Sequence, residues 1–118
     1  MLGKIKAIIL DRDGTLIEHI EYLKNPNEVK ILPGVREGLK FLKDSNVKLF
    51  LHTNQSGVGR GLYTLSDVWA CNKRMENLLA LGDRIFKRIC IAGEKPNQTI
   101  VYRKPSPKFV VEIANDFN

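Results

Sequence analysis

The sequence predicts an α/β fold built on a parallel sheet, and three observations predict it. Strand-like and helix-like patterns alternate along the chain in the order β-α-β-α-β-α, as expected for consecutive crossover units. The first strand candidate is short and nearly continuous in apolar residues, as expected for a strand covered on both faces. Each strand candidate is followed, directly or after one loop, by a polar cluster, and in such sheets ligands sit beyond the C-terminal strand ends.

The elements follow in order. "IKAIIL" (5–10) is the first apolar run and reads as a strand. Pro33 and Gly34 punctuate the start of a helix over 33–46, in which Val35, Leu39 and Leu42 recur at helical spacing. "VKLFLHT" (47–53) reads as the second strand. The helix over 64–82 opens on a capping-box pattern, Thr64 with Asp67 three residues on, and carries the stripe Val68, Met75, Leu79. Gly82 is its expected C-terminal stop. "FKRICIAG" (86–93) is the third strand. The last helix, 106–117, has Ser106 as candidate N-cap, Pro107 in its first turn, and Phe109, Ile113 and Phe117 on one side.

The chain has 118 residues, 43% hydrophobic and 27% charged, which predicts one globular domain over 1–118. No apolar run approaches the ~20 residues of a membrane span. The apolar run after Lys4 and Lys6 is too short for a signal peptide, so the expected location is the cytoplasm. Cys71 and Cys90 are too few for a disulfide framework or a four-ligand zinc site and read as small buried hydrophobes. The net charge of +6 suits an anionic partner, a phosphate ester or a nucleic acid, and equally suits solvated lysine faces.

Three clusters carry the chemistry. "DRDGT" places Asp11 and Asp13 two apart as the chain leaves the first strand, with Gly14 allowing a sharp turn. Two adjacent carboxylates repel unless a cation or proton lies between them, and hard oxygens with access to solvent suit Mg²⁺. The calcium-loop spacing D-x-[DN]-x-[DN]-G is not met, because the glycine follows the second aspartate directly. "TNQSGVGRG" offers the Thr53 hydroxyl, glycine N–H groups and the Arg60 fork to phosphate oxygens, without the spacing of a nucleotide P-loop. "YRKP" adds Arg103 and Lys104. Assembled at one sheet edge, these groups suit phosphoryl transfer to an aspartate, with a lysine and Mg²⁺ offsetting charge and a second acid serving the leaving group.

These residues resemble the haloacid dehalogenase superfamily. "DRDGT" after a strand resembles its first motif, "FLHTN" its second, and Lys104 in "YRKPSP" its third, together covering roughly residues 5–110. "DRDGT", "PGV", "TNQSGVGRG" and "RKPSP" further resemble the histidinol-phosphate and D-glycero-D-manno-heptose bisphosphate phosphatases. The resemblance implies a Rossmann-like core with helices on both faces. It implies Asp11 as nucleophile and Mg²⁺ ligand, and Asp13 as general acid/base with its main-chain carbonyl on the metal. Thr53 and Lys104 would hold the transferring phosphoryl group. Gly14, Thr15, Asn54, Gln55, Arg60 and Arg103 are the candidates for the substrate side.

The pattern departs from the family in three places. The zinc loop of many subgroup members, with several Cys and one His, is not matched: "ICIAGEKPNQTIVYRKP" has only Cys90, so no structural zinc is expected. The helical cap of larger relatives is replaced by the short loop from Glu18 to Leu32. The fourth motif, with further metal-binding acids and the C-terminal strands that bear them, is not matched, and Glu112 and Asp116 lie in a helix pattern. The expectation is a chain that is a fragment, with weakened Mg²⁺ affinity and turnover, or one that self-associates through the exposed edge of its first strand. A small phosphorylated metabolite is the expected substrate. A nucleic acid bearing a 3′-phosphate is the alternative, since the same clusters resemble polynucleotide kinase/phosphatases. An inactive domain that binds phosphate or a partner chain is the third reading.

Overall fold

The computed structural model describes residues 4–95 and 97–117. It contains a three-stranded sheet of order β1-β2-β3, with β1 Ala7–Leu10, β2 Lys48–Asn54 and β3 Phe86–Ala92. Both pairings are parallel; Leu10 lies opposite Leu51, and Asn54 opposite Ala92. β2 is the central strand, and β1 has no second strand partner among the described residues. Among the described residues four α-helices complete the fold: α1 Val35–Asp44, α2 Ser56–Gly59, α3 Leu65–Leu79 and α4 Lys108–Asp116.

Alternation along β2 explains why helices cover both faces. Leu49 and Leu51 join one core with Leu39 of α1 and Cys71, Met75 and Leu79 of α3. Phe50 points to the other face, where it packs with Cys90 of β3 and with Phe109 and Ile113 of α4. The period of two in the strand meets the period near 3.6 in the helices, and neither face stays in water. The expected α/β architecture with a parallel sheet and helices on both faces is the one observed.

Local chemistry sets the boundaries. The Thr64 hydroxyl accepts from the Asp67 N–H (3.1 Å) and the Asp67 carboxylate accepts from the Thr64 N–H (2.9 Å), completing the capping box. α3 ends earlier than Gly82 suggested. Ala80 takes the left-handed conformation (φ 52°) and its N–H bonds the Glu76 carbonyl. A left-handed alanine costs roughly 1–2 kcal/mol; the early turn lets Leu81 enter the core, where it is 8% exposed. α4 begins at Lys108, with Pro107 at the cap position that Ser106 was expected to fill. The Ser106 hydroxyl donates to the Val101 carbonyl (2.7 Å) and accepts only a long bond from the Lys108 N–H (3.3 Å). The 18–32 loop contains a 3₁₀ turn, Pro26–Glu28, capped by the Asn25 side chain, which apolar periodicity does not reveal.

Candidate active site

The C-terminal edge of the sheet gathers the three clusters. Asp11 and Asp13 follow β1, Thr53 and Asn54 end β2, and Glu94 follows β3 two residues beyond its last member. Lys104 is fifty residues from β2 in sequence and returns to it by a tied loop. Glu94 Oε2 accepts the main-chain N–H groups of Val101, Tyr102 and Arg103 at 2.9–3.0 Å. Burial pushes the Glu94 carboxyl up, and the three N–H donors outweigh it, so the group lies below its ordinary value. Asn54 Oδ1 accepts the Lys104 N–H (2.9 Å), and His52 Nε2 meets the Tyr102 carbonyl at 2.8 Å. A carbonyl can only accept, so Nε2 carries the proton. Burial holds the His52 imidazole below its ordinary pKa, with Lys104 adding to the effect.

This loop seats the lysine. Lys104 Nζ donates to the His52 carbonyl at 2.7 Å and to Asp11 Oδ1 at 2.9 Å. Asp11 also caps its own turn, Oδ1 accepting the Arg12 N–H at 2.9 Å. The Asp11 side chain remains 45% exposed, and Oδ2 has no hydrogen-bond partner among the described residues.

Asp13 faces inward. Arg12, fully buried, sends Nε to both Asp13 oxygens at 3.3 Å and Nη2 to Oδ1 at 3.2 Å. Gln55 Nε2 donates to Asp13 Oδ2 (2.8 Å) and approaches Thr53 Oγ1 (2.7 Å), and Thr53 lies 3.5 Å from the same carboxylate oxygen. The Tyr63 hydroxyl donates to Gln55 Oε1 at 2.6 Å. Burial raises the Tyr63 phenol above its ordinary value, which keeps it a proton donor. Arg12 Nη1 donates to Asn72 Oδ1 of α3 at 2.9 Å, and Asn72 Nδ2, also buried, has no partner among the described residues.

The other candidates lie around this centre. Gly14 adopts φ 79° with open space where a Cβ would stand, and Thr15 is exposed beside it. Gln55 is 4% exposed and its amide is engaged inside. Asn54 is occupied with the Lys104 main chain (Nδ2 to the carbonyl, 3.4 Å). Arg60 is exposed in a concavity with Tyr22, Leu62 and Lys95. Arg103 Nη1 reaches the Glu94 carbonyl at 3.4 Å. A cavity of about 290 Å³ opens over Asp13, walled by Arg12, His19, Glu21, Tyr22, Asn54 and Tyr63 among others. Arg12, Tyr63, Asn72, Glu94 and His52 were not singled out from sequence. Arg12 is the one with a readable signal, since a charged residue between two aspartates at a strand end must find a partner.

The donors present fit a hard divalent cation. The free Oδ2 of Asp11 and the Asp13 main-chain carbonyl, which accepts no bond from another main-chain group among the described residues, are both oxygen ligands of the kind Mg²⁺ takes. Among the described residues no group of three His, Cys, Asp or Glu side chains could hold a metal ion.

A parallel sheet with an aspartate pair, a hydroxyl and a lysine at its C-terminal edge defines a haloacid dehalogenase-type phosphatase fold. The family model "polynucleotide kinase 3 phosphatase" matches residues 6–118, and the chain belongs to that family of phosphoric monoester hydrolases. Curated relatives include a D-glycero-beta-D-manno-heptose-1,7-bisphosphate 7-phosphatase of Helicobacter pylori, 32% identical over 98% of this chain and 67% of that protein. A probable D-glycero-D-manno-heptose-1,7-bisphosphate 7-phosphatase of Thermoplasma volcanium is 29% identical over 96% of this chain and 77% of its own length. Among solved structures, D,D-heptose 1,7-bisphosphate phosphatase of B. bronchiseptica, complexed with magnesium and phosphate, superposes with a TM-score of 0.85 at 32% identity, covering 96% of this chain and 64% of that one. A had-like phosphatase from Mesorhizobium loti gives 0.78 at 29% identity and 94% coverage of this chain. The chain thus spans about two thirds of the length of several proteins it matches.

Proposed function

We propose that this chain is a Mg²⁺-dependent phosphatase of a small phosphorylated sugar, working through an aspartyl phosphate. The observation that carries the reading is the Lys104–Asp11 contact, which brings the third cluster onto the first from ninety-three residues away. The names of the relatives support a sugar phosphate as the substrate class, with histidinol phosphate the related metabolite to compare.

On this reading the exposed Asp11 attacks phosphorus in line with the ester oxygen. The Asp11–phosphorus bond forms as the phosphorus–ester oxygen bond breaks, and Asp13 supplies the proton the leaving alkoxide needs. Asp13 then takes a proton from the water that cleaves the aspartyl phosphate, which frees inorganic phosphate and restores both carboxyl groups. Lys104 and the Thr53 hydroxyl hold the phosphoryl oxygens, and positioning with charge stabilisation supplies most of the rate. Asp11 Oδ2 and the Asp13 carbonyl would hold Mg²⁺, whose contribution is to neutralise the charge of the transferring group.

The second reading, a nucleic-acid 3′-phosphatase, is supported by the matching family's description and the net charge of +6. Phosphate release from heptose 1,7-bisphosphate, histidinol phosphate and a 3′-phosphorylated oligonucleotide tests both, each with Mg²⁺ and with a chelator. Fastest release from the sugar, lost on chelation, is the expected result. Fastest release from the oligonucleotide, falling steeply with salt, would replace the sugar reading. No release from any of the three would overturn the enzyme readings in favour of a phosphate-binding domain.

A further inference from the structure

We propose that Tyr63 is a positioning residue that sets the orientation of Asp13 through the side-chain amide of Gln55. The inference rests on the acid/base role proposed above for Asp13 and deepens it.

A glutamine amide has two orientations of nearly equal shape, and only its neighbours choose between them. Here the neighbours at one end are the Asp13 carboxylate and the Thr53 hydroxyl, and a carboxylate can only accept. The carboxylate selects the orientation, and the other end of the amide holds it in place. The Tyr63 hydroxyl donates to Gln55 Oε1 at 2.6 Å and so anchors the amide with Nε2 on Asp13 Oδ2 at 2.8 Å and Thr53 Oγ1 at 2.7 Å. Without the hydroxyl donor, the buried amide oxygen loses its partner and the amide loses the anchor that keeps Nε2 on the carboxylate.

A second, independent observation concerns how Tyr63 is seated. A Cβ added at Gly57 would stand 2.1 Å from Tyr63 Cε2 and 2.8 Å from its hydroxyl oxygen. Gly57 is helical and buried, with no left-handed backbone to require glycine. The missing side chain is therefore the space the phenol ring occupies. The glycine of "TNQSG" and a tyrosine six residues later form one device: α2 gives the ring its floor, and the ring's hydroxyl sets the amide.

Asp13 Oδ2 is held from this side, and the Arg12 side meets both oxygens at the longer distances of 3.2–3.3 Å. The Gln55 grip fixes the carboxylate plane relative to the leaving oxygen. The predicted consequence is specific to the proton-transfer role. A leaving group that departs as a stable anion, such as p-nitrophenolate, needs no proton; an alkoxide does.

The experiment compares kcat/KM for a sugar or other alkyl phosphate with that for p-nitrophenyl phosphate, in the wild type and in Tyr63→Phe. kcat/KM reports steps up to leaving-group departure and is blind to later hydrolysis of the aspartyl phosphate. Tyr63→Phe keeps the ring on Gly57 and removes only the hydroxyl. About a tenfold or greater loss on the alkyl ester, against less than about twofold on p-nitrophenyl phosphate, is the expected result. Equal loss on both esters, or no loss on either, overturns the inference while leaving the phosphatase reading intact. Absence of wild-type turnover of both esters overturns that reading and the inference with it. Should Tyr63→Phe fail to fold, Gly57→Ala displaces the ring by another route and must show the same ester-dependent loss; an unselective loss there also overturns the proposal.

Discussion

Asp11 and Asp13 are separated by one residue and occupy opposite kinds of surroundings. The Asp11 side chain is 45% exposed, the Asp13 side chain 19%. Asp11 meets one lysine, delivered by a loop that Glu94, Asn54 and His52 tie down. Asp13 meets a buried arginine, a buried glutamine and a buried threonine, backed by Tyr63 and Asn72. The difference is what the proposed in-line attack requires. A nucleophile must be reachable by a bulky phosphate ester, whereas an acid/base group gains from being held in one place. On the proposed mechanism, burial separates two identical side chains into two jobs.

The contrast can be broken at its open side first. Asp11→Asn leaves the shape and removes the attacking carboxylate, so turnover should fall by at least about a thousandfold with the far-UV spectrum unchanged. Substantial residual turnover would move the nucleophile elsewhere. Lys104→Met comes next, with a loss of about a hundredfold in kcat and a small change in thermal midpoint, because its partner is half-exposed. At the closed side the order of effects reverses. Arg12→Met leaves Asp13 facing a site built around a charge, and urea titration should find a stability loss of about 3 kcal/mol. A loss as small as that of a surface substitution would mean the two sides are not different in kind.

The smallest effect is local and depends on pH. Glu94 lies below its ordinary carboxyl value of 4.5 in the folded chain. Its contribution is therefore complete above that ordinary value and is lost as pH falls through the folded one. Amide exchange at Val101, Tyr102 and Arg103 should quicken in acid before the sheet amides do. In Glu94→Gln these amides should be poorly protected at every pH. Exchange that follows global unfolding instead would show the lysine loop to be part of the core.

The sequence displays the fold more fully than it displays this contrast. The apolar runs at 5–10, 47–53 and 86–93 sit within two residues of the observed strands, because a strand buried on two faces can use few other residues. Thr64 with Asp67 announces α3 because capping is local chemistry. Asp11, Thr53 and Lys104 are legible because each stands at or beyond a strand end. Tyr63 and Asn72 are not, because a buried hydrogen-bond network is a property of distances across the fold. Asn72 sits among polar neighbours in "CNKRMEN", and nothing there shows that its amide meets Arg12 sixty residues away. The helix stops at Ala80 and not at Gly82 for a related reason, since burial of Leu81 outweighs the local preference for glycine.

The contact between Gly57 and Tyr63 bears on how this site can be borrowed. A designer transplanting "TNQSG" onto another scaffold would carry over both residues that touch Asp13 from the end of β2 and the turn after it, and would leave behind the side chain that anchors the glutamine amide. The smallest portable unit runs from Thr53 to Tyr63, and a host with bulk at the tyrosine's resting place would accept the peptide and lose that anchor.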